Sequence, residues 1–123
     1  MPTGYKQLRA YQLACSLASE IHPCVVTWPK IHQLSIGTQL LRSSHSIGAN
    51  IAEATGRWYY ADQRRLLYVA RGSLQETEYW IDAACGLHLL PPEIKQHIPE
   101  LTRTLNGLIK KRERRGRALI PNS

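Results

Sequence analysis

Residues 39–57 read QLLRSSHSIGANIAEATGR, and this stretch decides the fold. Placed on an α-helix, its side chains fall into three parallel stripes. The first stripe is an apolar seam formed by Ile36, Leu40, Ile47, Ile51 and Ala54. The second stripe is polar and holds Gln39, Ser43, Ser46, Asn50, Glu53 and Arg57. The third stripe has only small side chains, those of Gly37, Ser44, Gly48 and Thr55. Such a helix is expected to pack closely against others and to pair its polar groups, because unpaired polar groups near a core cost free energy.

The rest of the chain repeats the helical period and gives no strand signal. Apolar residues recur every three or four positions, which predicts helices over about 5–27, 34–57, 62–87 and 98–115. A short turn is expected over 92–97. The sequence therefore predicts an all-α, antiparallel up-down four-helix bundle. It forms a single domain over 1–117, followed by a loose C-terminal tail over 118–123.

Single residues set the expected helix boundaries. Pro23 removes a backbone donor and predicts a kink or early end of the first helix. Asp62 is the predicted N-cap of the third helix, and Gly56 and Gly116 are predicted helix ends. Gly72, in the middle of the third helix, is interpreted as a notch that receives the small stripe of the second helix.

The net charge of +7 lies mostly at the C-terminal end. Residues 101–123 contain seven Lys and Arg and one Glu, and the segment 110–117 reads KKRERRGR. Such a segment attracts phosphates through charge without reading sequence. The candidate nucleic-acid-binding residues here are Lys110, Lys111, Arg112, Arg114, Arg115 and Arg117. A solvated tail without a partner is the alternative, and membrane binding is disfavoured because Leu119 and Ile120 are too few to insert.

A second basic segment combines arginines with aromatic residues. Trp58, Tyr59 and Tyr60 follow Arg57 and precede Arg64 and Arg65. Aromatic rings between arginines can stack on unpaired bases, so these three arginines are further nucleic-acid candidates. The favoured interpretation is nevertheless that the aromatic rings fill one end of the bundle.

The polar stripe does not indicate a catalytic site. Glu53 could act as a base, but no histidine or cysteine stands at helical spacing from it to complete a nucleophile–base pair. We expect Glu53 to pair with Arg57, and Asn50 and Gln39 to bond to Ser73 or Glu76 of the third helix. We therefore expect no enzyme.

Metal and cofactor sites are not indicated either. The five histidines are scattered and form no Glu-x-x-His pair, so we expect no metal or cofactor. His22 and His88 are interpreted as core histidines, and Cys15, Cys24 and Cys85 as free, buried thiols.

The compartment is expected to be the bacterial cytoplasm. No run of about 18 apolar residues is present, and the sequence MPTGYKQLRAYQ at the N-terminus has no apolar signal core.

SHSIGANIAEATGR followed by LLYVARGSLQE resembles the signature of the proteins encoded in intervening sequences of bacterial large-subunit rRNA genes. Interface or structural roles are implied for Gln39, Ser46, Asn50, Glu53, Arg57, Gly72, Ser73 and Glu76. Ala54, where the family usually has glycine, and the Trp58–Tyr60 run depart from the pattern. The resemblance implies a four-helix bundle that assembles into homo-oligomers, typically pentamers. A related branch consists of accessory proteins of diversity-generating retroelements, which bind nucleic acid and a reverse transcriptase.

These observations favour a non-catalytic, basic, oligomeric scaffold that binds nucleic acid, RNA rather than DNA, through its C-terminal end. The alternative is a protein–protein interaction module, such as a reverse-transcriptase accessory protein, that does not contact nucleic acid itself.

Overall fold

The chain is an all-α four-helix bundle. A computed structural model describes the backbone of residues 4–119 and the side chains of residues 4–116, and this part contains no strand. The helices are α1 (Arg9–Val25), α2 (Thr38–Thr55), α3 (Tyr60–Gly86) and α4 (Ile98–Leu119). A 3-10 turn at Tyr5–Gln7 precedes α1. Three short elements lie between helices: a helical turn at Lys30–His32, a π-helical turn at Gln33–Gly37 and a 3-10 turn at Pro92–Lys95.

Apolar seams on all four helices form one core. Four of the five residues of the predicted seam are confirmed, since Leu40, Ile47, Ile51 and Ala54 are buried, whereas Ile36 is half-buried and lies in the π-helical turn before α2. They pack against apolar positions at helical spacing on the other helices, including Leu17, Ile21, Leu67, Leu74, Ile81, Leu101 and Leu105. Burial of these side chains is the main stabilising term of such a bundle.

Polar contacts connect neighbouring helices at several levels. Ser46 of α2 bonds to Ser73 of α3, and Arg71 of α3 donates to Asn106 of α4 over 3.2 Å. Nearer the other end of α3, Asp82 pairs with Lys95. The antiparallel up-down order stays a prediction: these contacts fit it between α3 and α4, whereas an ion pair between Arg9 and Glu100 joins the first turns of α1 and α4, which that order would place at opposite ends.

Several helix ends differ from those predicted. α1 ends at Val25 rather than Thr27, two residues after Pro23, as the missing donor of the proline favours. α3 begins at Tyr60, with Tyr59 in the N-cap position, so Asp62 is not the cap. Asp62 instead lies in the first turn, where its negative charge interacts favourably with the helix dipole.

Gly116 does not end α4, so that prediction was wrong. The helix continues through Gly116 to Leu119, and the first two residues of the predicted tail are helical. Gly116 is buried against α3, where a Cβ atom would lie 2.2 Å from Nη1 of Arg64. The glycine therefore serves a close contact rather than a turn. Residues 120–123 lie outside the described part of the chain.

The small stripe faces α1 and not α3, which corrects the predicted notch at Gly72. A Cβ on Gly37 would lie 2.9 Å from Cγ1 of Val25, and one on Gly48 would contact Cys15 at 3.7 Å. Gly72 is exposed and has open space around it. The side of α2 that meets α3 carries the polar stripe, so no glycine pair is needed there.

Candidate nucleic-acid interface

The polar stripe of α2 is a helix–helix contact. Oγ of Ser46 lies 3.0 Å from Oγ of Ser73, and Oγ1 of Thr77 lies 3.0 Å from Oγ of Ser43. Ser43 and Thr77 are fully buried, and no buried side-chain N or O atom in the described residues lacks a hydrogen-bond partner. The stripe thus joins α2 to α3 through satisfied hydrogen bonds, as buried polar groups require.

The expected partners within this stripe need correction. The Glu53–Arg57 ion pair is confirmed. Asn50, however, donates to the carbonyl of Ser46 over 2.8 Å, within its own helix. Gln39 accepts a 3.0 Å hydrogen bond from Arg42 and does not reach α3.

Arg42 makes the contact to Glu76 that the sequence analysis gave to shorter side chains. Its guanidinium pairs with the Glu76 carboxylate, which also accepts a 3.1 Å hydrogen bond from Nε1 of Trp80. Arg42 stands three residues after Gln39, on the same side of the helix, and this spacing was the available signal.

Two histidines that were expected in the core are exposed. His22 and His88 both lie at the surface, and His88 follows α3 in the left-handed backbone region, with φ of 59°. Nδ1 of His22 lies 3.3 Å from Nε2 of His45 on α2. Among the described residues, no three His, Cys, Asp or Glu side chains are grouped so that they could hold a metal ion. The three cysteines are free and half-buried rather than fully buried.

The C-terminal half of α4 separates its charges into an inner and an outer face. Ile109 is buried, Arg112 half-buried and Gly116 buried, and these positions meet the bundle. Of the five residues between these positions, four are exposed cations: Lys110, Lys111, Arg114 and Arg115. We call these four residues the basic face. None of them has an acidic partner among the described ion pairs, so the face presents four uncompensated charges.

Arg112 belongs to the inner face and attaches α4 to α3. Its Nε donates to Oε1 of Gln63 over 2.9 Å. Burial is the main cause that lowers the pKa of Arg112, and the neighbouring charge of Arg115 lowers it further. Of the other candidates, Arg64 lies over Gly116 and Arg65 is exposed, whereas the side chain of Arg117 lies outside the described residues.

Glu113, the one acid within the basic segment, is held on the bundle side. Its carboxylate accepts a hydrogen bond from the hydroxyl of Tyr68, and this bond raises the pKa of Tyr68. The guanidinium of Arg71 lies over the Tyr68 ring, 4.7 Å from its centre. Glu113 is therefore engaged with α3 and does not pair with the outward cations.

The aromatic residues between α2 and α3 do not fill the end of the bundle. Trp58 is 87 % exposed and Tyr59 is 68 % exposed, so the favoured interpretation was wrong for both, and Tyr60 is half-buried at the start of α3. The connection is only four residues long, and Ala54 and Leu66 already close the core beside it. We call Trp58 and Tyr59 the aromatic turn.

Gln63 links the start of the aromatic turn to α4. Its Nε2 donates to the carbonyl of Arg57 over 2.8 Å, and its Oε1 accepts the bond from Arg112. One side chain on α3 thus connects the residue before Trp58 with the inner face of α4. Sequence analysis missed Gln63, because a single glutamine carries no signal of two long-range contacts. This end of the molecule combines exposed cations with exposed rings.

Compared with known protein families, residues 6–111 match the family described as 23S rRNA-intervening sequence protein. No curated protein matches the sequence. None of the helices in the described residues has the length and apolar character that crossing a membrane requires.

Proposed function

The chain belongs to the 23S rRNA-intervening sequence protein family, and we propose that it is a non-catalytic, oligomeric scaffold that binds RNA. One observation supports this proposal above all others. The basic face of α4 is exposed, has no acidic partner among the described residues and lies at the same end of the bundle as the aromatic turn.

The charges on this surface suit a polyanion with regularly spaced phosphates. Lys110 and Arg114 are one helical turn apart, and Arg103 stands seven residues before Lys110 on the same exposed side. Because Glu113 is turned towards Tyr68, it does not neutralise this side. Contacts of this kind bind phosphate through charge and release counterions, so they do not read sequence directly.

Oligomerisation would multiply these contacts. Five copies, the number implied by the family resemblance, would carry a formal charge of +35 at +7 each. Val26, Ile31 and Leu34 are large apolar side chains that stay exposed in one copy, as expected where copies pack together. Several weak phosphate contacts on one assembly then give a higher overall affinity than one copy has.

The test is a comparison of two variants that lose the same charge at different places. Lys110→Ala/Arg114→Ala removes two cations from the basic face, and Lys6→Ala/Lys30→Ala removes two exposed cations elsewhere. We expect the first variant to bind labelled structured RNA and duplex DNA roughly tenfold more weakly or worse, and the control to bind nearly as the unaltered protein does. Fluorescence anisotropy measures the affinity, and light scattering in the same buffer gives the mass of the assembly.

Equal losses in the two variants would show that only overall charge matters and would contradict the assigned surface. If the unaltered protein binds neither nucleic acid at low salt, the alternative function replaces the proposal. The chain would then be a protein–protein interaction module, for example an accessory of a reverse transcriptase, with an acidic protein on its basic face.

A further inference from the structure

We infer that the aromatic turn is a stacking platform, so that this end of the molecule prefers unpaired nucleotides to duplex. The inference rests on the proposed function and names the class of nucleic acid that the same surface would take. Its occupant is a single-stranded or looped RNA segment, with its phosphates on α4 and its bases on Trp58 and Tyr59.

Trp58 differs from the other two tryptophans of the chain. Trp28 is buried and donates from Nε1 to the carbonyl of Leu89 over 3.0 Å. Trp80 packs against the core and donates to Glu76 over 3.1 Å. Trp58 is 87 % exposed, and its indole makes no hydrogen bond within the described residues. A large ring left in solvent next to a second one, Tyr59, indicates an external partner.

The backbone that carries these rings is held in place. The amide of Gly56 donates to the carbonyl of Glu53, and the amide of Arg57 donates to that of Ala54, each over 3.1 Å. Gln63 then fixes the carbonyl of Arg57. Three hydrogen bonds thus position the chain just before Trp58, and a preorganised surface loses less entropy when a ligand binds.

The charges around the turn match this occupant and not an apolar one. The hydrogen bonds of Gln63 to Arg57 and Arg112 place the turn at the same end of the bundle as the basic face, and Arg65 is exposed in the second turn of α3. Phosphate contacts alone would hold duplex and single strand alike. Stacking requires the free face of a base, which an intact duplex offers only at its ends, so the rings add affinity for unpaired nucleotides alone.

The test replaces the two rings and compares a single strand with a duplex. Trp58→Ala/Tyr59→Ala is measured against Tyr79→Ala/Leu87→Ala, which removes two large exposed side chains at other places. Ligands are a 12-nucleotide oligouridine and a 12-base-pair RNA duplex. We expect the aromatic-turn variant to lose roughly tenfold or more in affinity for oligouridine, given the usual contribution of a base–aromatic stack. Its affinity for the duplex, and that of the control for both ligands, should change less than about twofold.

The outcomes separate this inference from the proposed function. If the unaltered protein binds both RNAs and the ring variant loses nothing, or loses equally on both, the stacking platform is wrong and the basic face stands. If the unaltered protein binds neither RNA, the proposed function fails first. A fall in the mass of the assembly in the ring variant would place the rings in a contact between copies of the chain and would also overturn the inference.

Discussion

Gly37, just before α2, and Gly48, within it, belong to the same small stripe but have different neighbours. The position of a Cβ on Gly37 would be 2.9 Å from Cγ1 of Val25 and 3.1 Å from the carbonyl oxygen of His32. A Cβ on Gly48 would have its nearest neighbours at 3.7–3.8 Å, which is an ordinary contact distance. Gly37 is thus required by its surroundings, whereas Gly48 only leaves space.

We predict that Gly37→Ala lowers the free energy of unfolding by about 1–3 kcal/mol, since a stiff valine and a backbone oxygen must move. Gly48→Ala should be neutral or stabilising by up to about 1 kcal/mol, because alanine is the better helix former. Urea unfolding followed by circular dichroism gives both values. Equal effects of the two substitutions would contradict the packing described for Gly37.

At the residue scale, the sequence predicts which side chains share a helix face better than it predicts which residues they contact. Helical spacing correctly placed the apolar seam and the polar stripe of α2, and the Glu53–Arg57 pair followed from its i, i+4 spacing. It could not tell that the glycines meet α1, nor that Arg42 rather than Asn50 reaches α3. Which helix lies opposite a face, and how far away, depends on the packing of the whole bundle.

A two-bond ion pair connects the first turns of α1 and α4. Nε of Arg9 donates to Oε2 of Glu100 over 2.9 Å, and Nη2 donates to Oε1 over 3.1 Å. The hydrogen bonds from Arg9 are the largest cause that lowers the pKa of Glu100, with the charge of Arg9 acting in the same direction. Both side chains are partly exposed, so salt weakens the pair.

The pKa of Glu100 is lower in the folded than in the unfolded protein. Its ionised carboxylate therefore stabilises the fold fully at pH values above the pKa of the unfolded state. This stabilisation is lost as the pH falls through the folded value. We predict that Glu100→Gln is less stable than the unaltered protein at pH 7, and that this difference becomes smaller as the pH is lowered from 7 to 3. Urea unfolding at both pH values measures it, with Glu93→Gln as a control, since Glu93 has no ion partner within the described part of the chain. A difference in stability that is as large at pH 3 as at pH 7 would show that Glu100 stabilises the fold through something other than its charge.

At the element scale, the sequence predicts the helices and misplaces some of their ends. Four periodic segments became four helices, but Asp62 is not a cap and Gly116 is not a terminator. Both errors have tertiary causes. Gln63 holds the turn before α3, and α4 continues because Gly116 allows close contact with Arg64. Local preference for a helix end gives way where packing favours another turn.

At the scale of the whole molecule, charge and aromatic surface are concentrated at one end. The sequence predicts that the C-terminal segment is basic, yet it treats all of its cations as equivalent. The fold divides them, since Arg112 is bound to Gln63 while Lys110 and Arg114 stay in solvent. It also turns Glu113 away towards Tyr68. These divisions depend on which face of α4 packs against the bundle.

The measurement that tests the central claim most directly is the salt dependence of RNA binding. Each phosphate contact contributes about 0.7 to the slope of log affinity against log salt for single strands, and about 0.9 for duplexes. We predict that Lys110→Ala/Arg114→Ala makes this slope shallower by at least about 1. The control Lys6→Ala/Lys30→Ala and the ring variant Trp58→Ala/Tyr59→Ala should leave it unchanged. An unchanged slope in the basic-face variant, with binding intact, would contradict the claim that α4 contacts the RNA backbone.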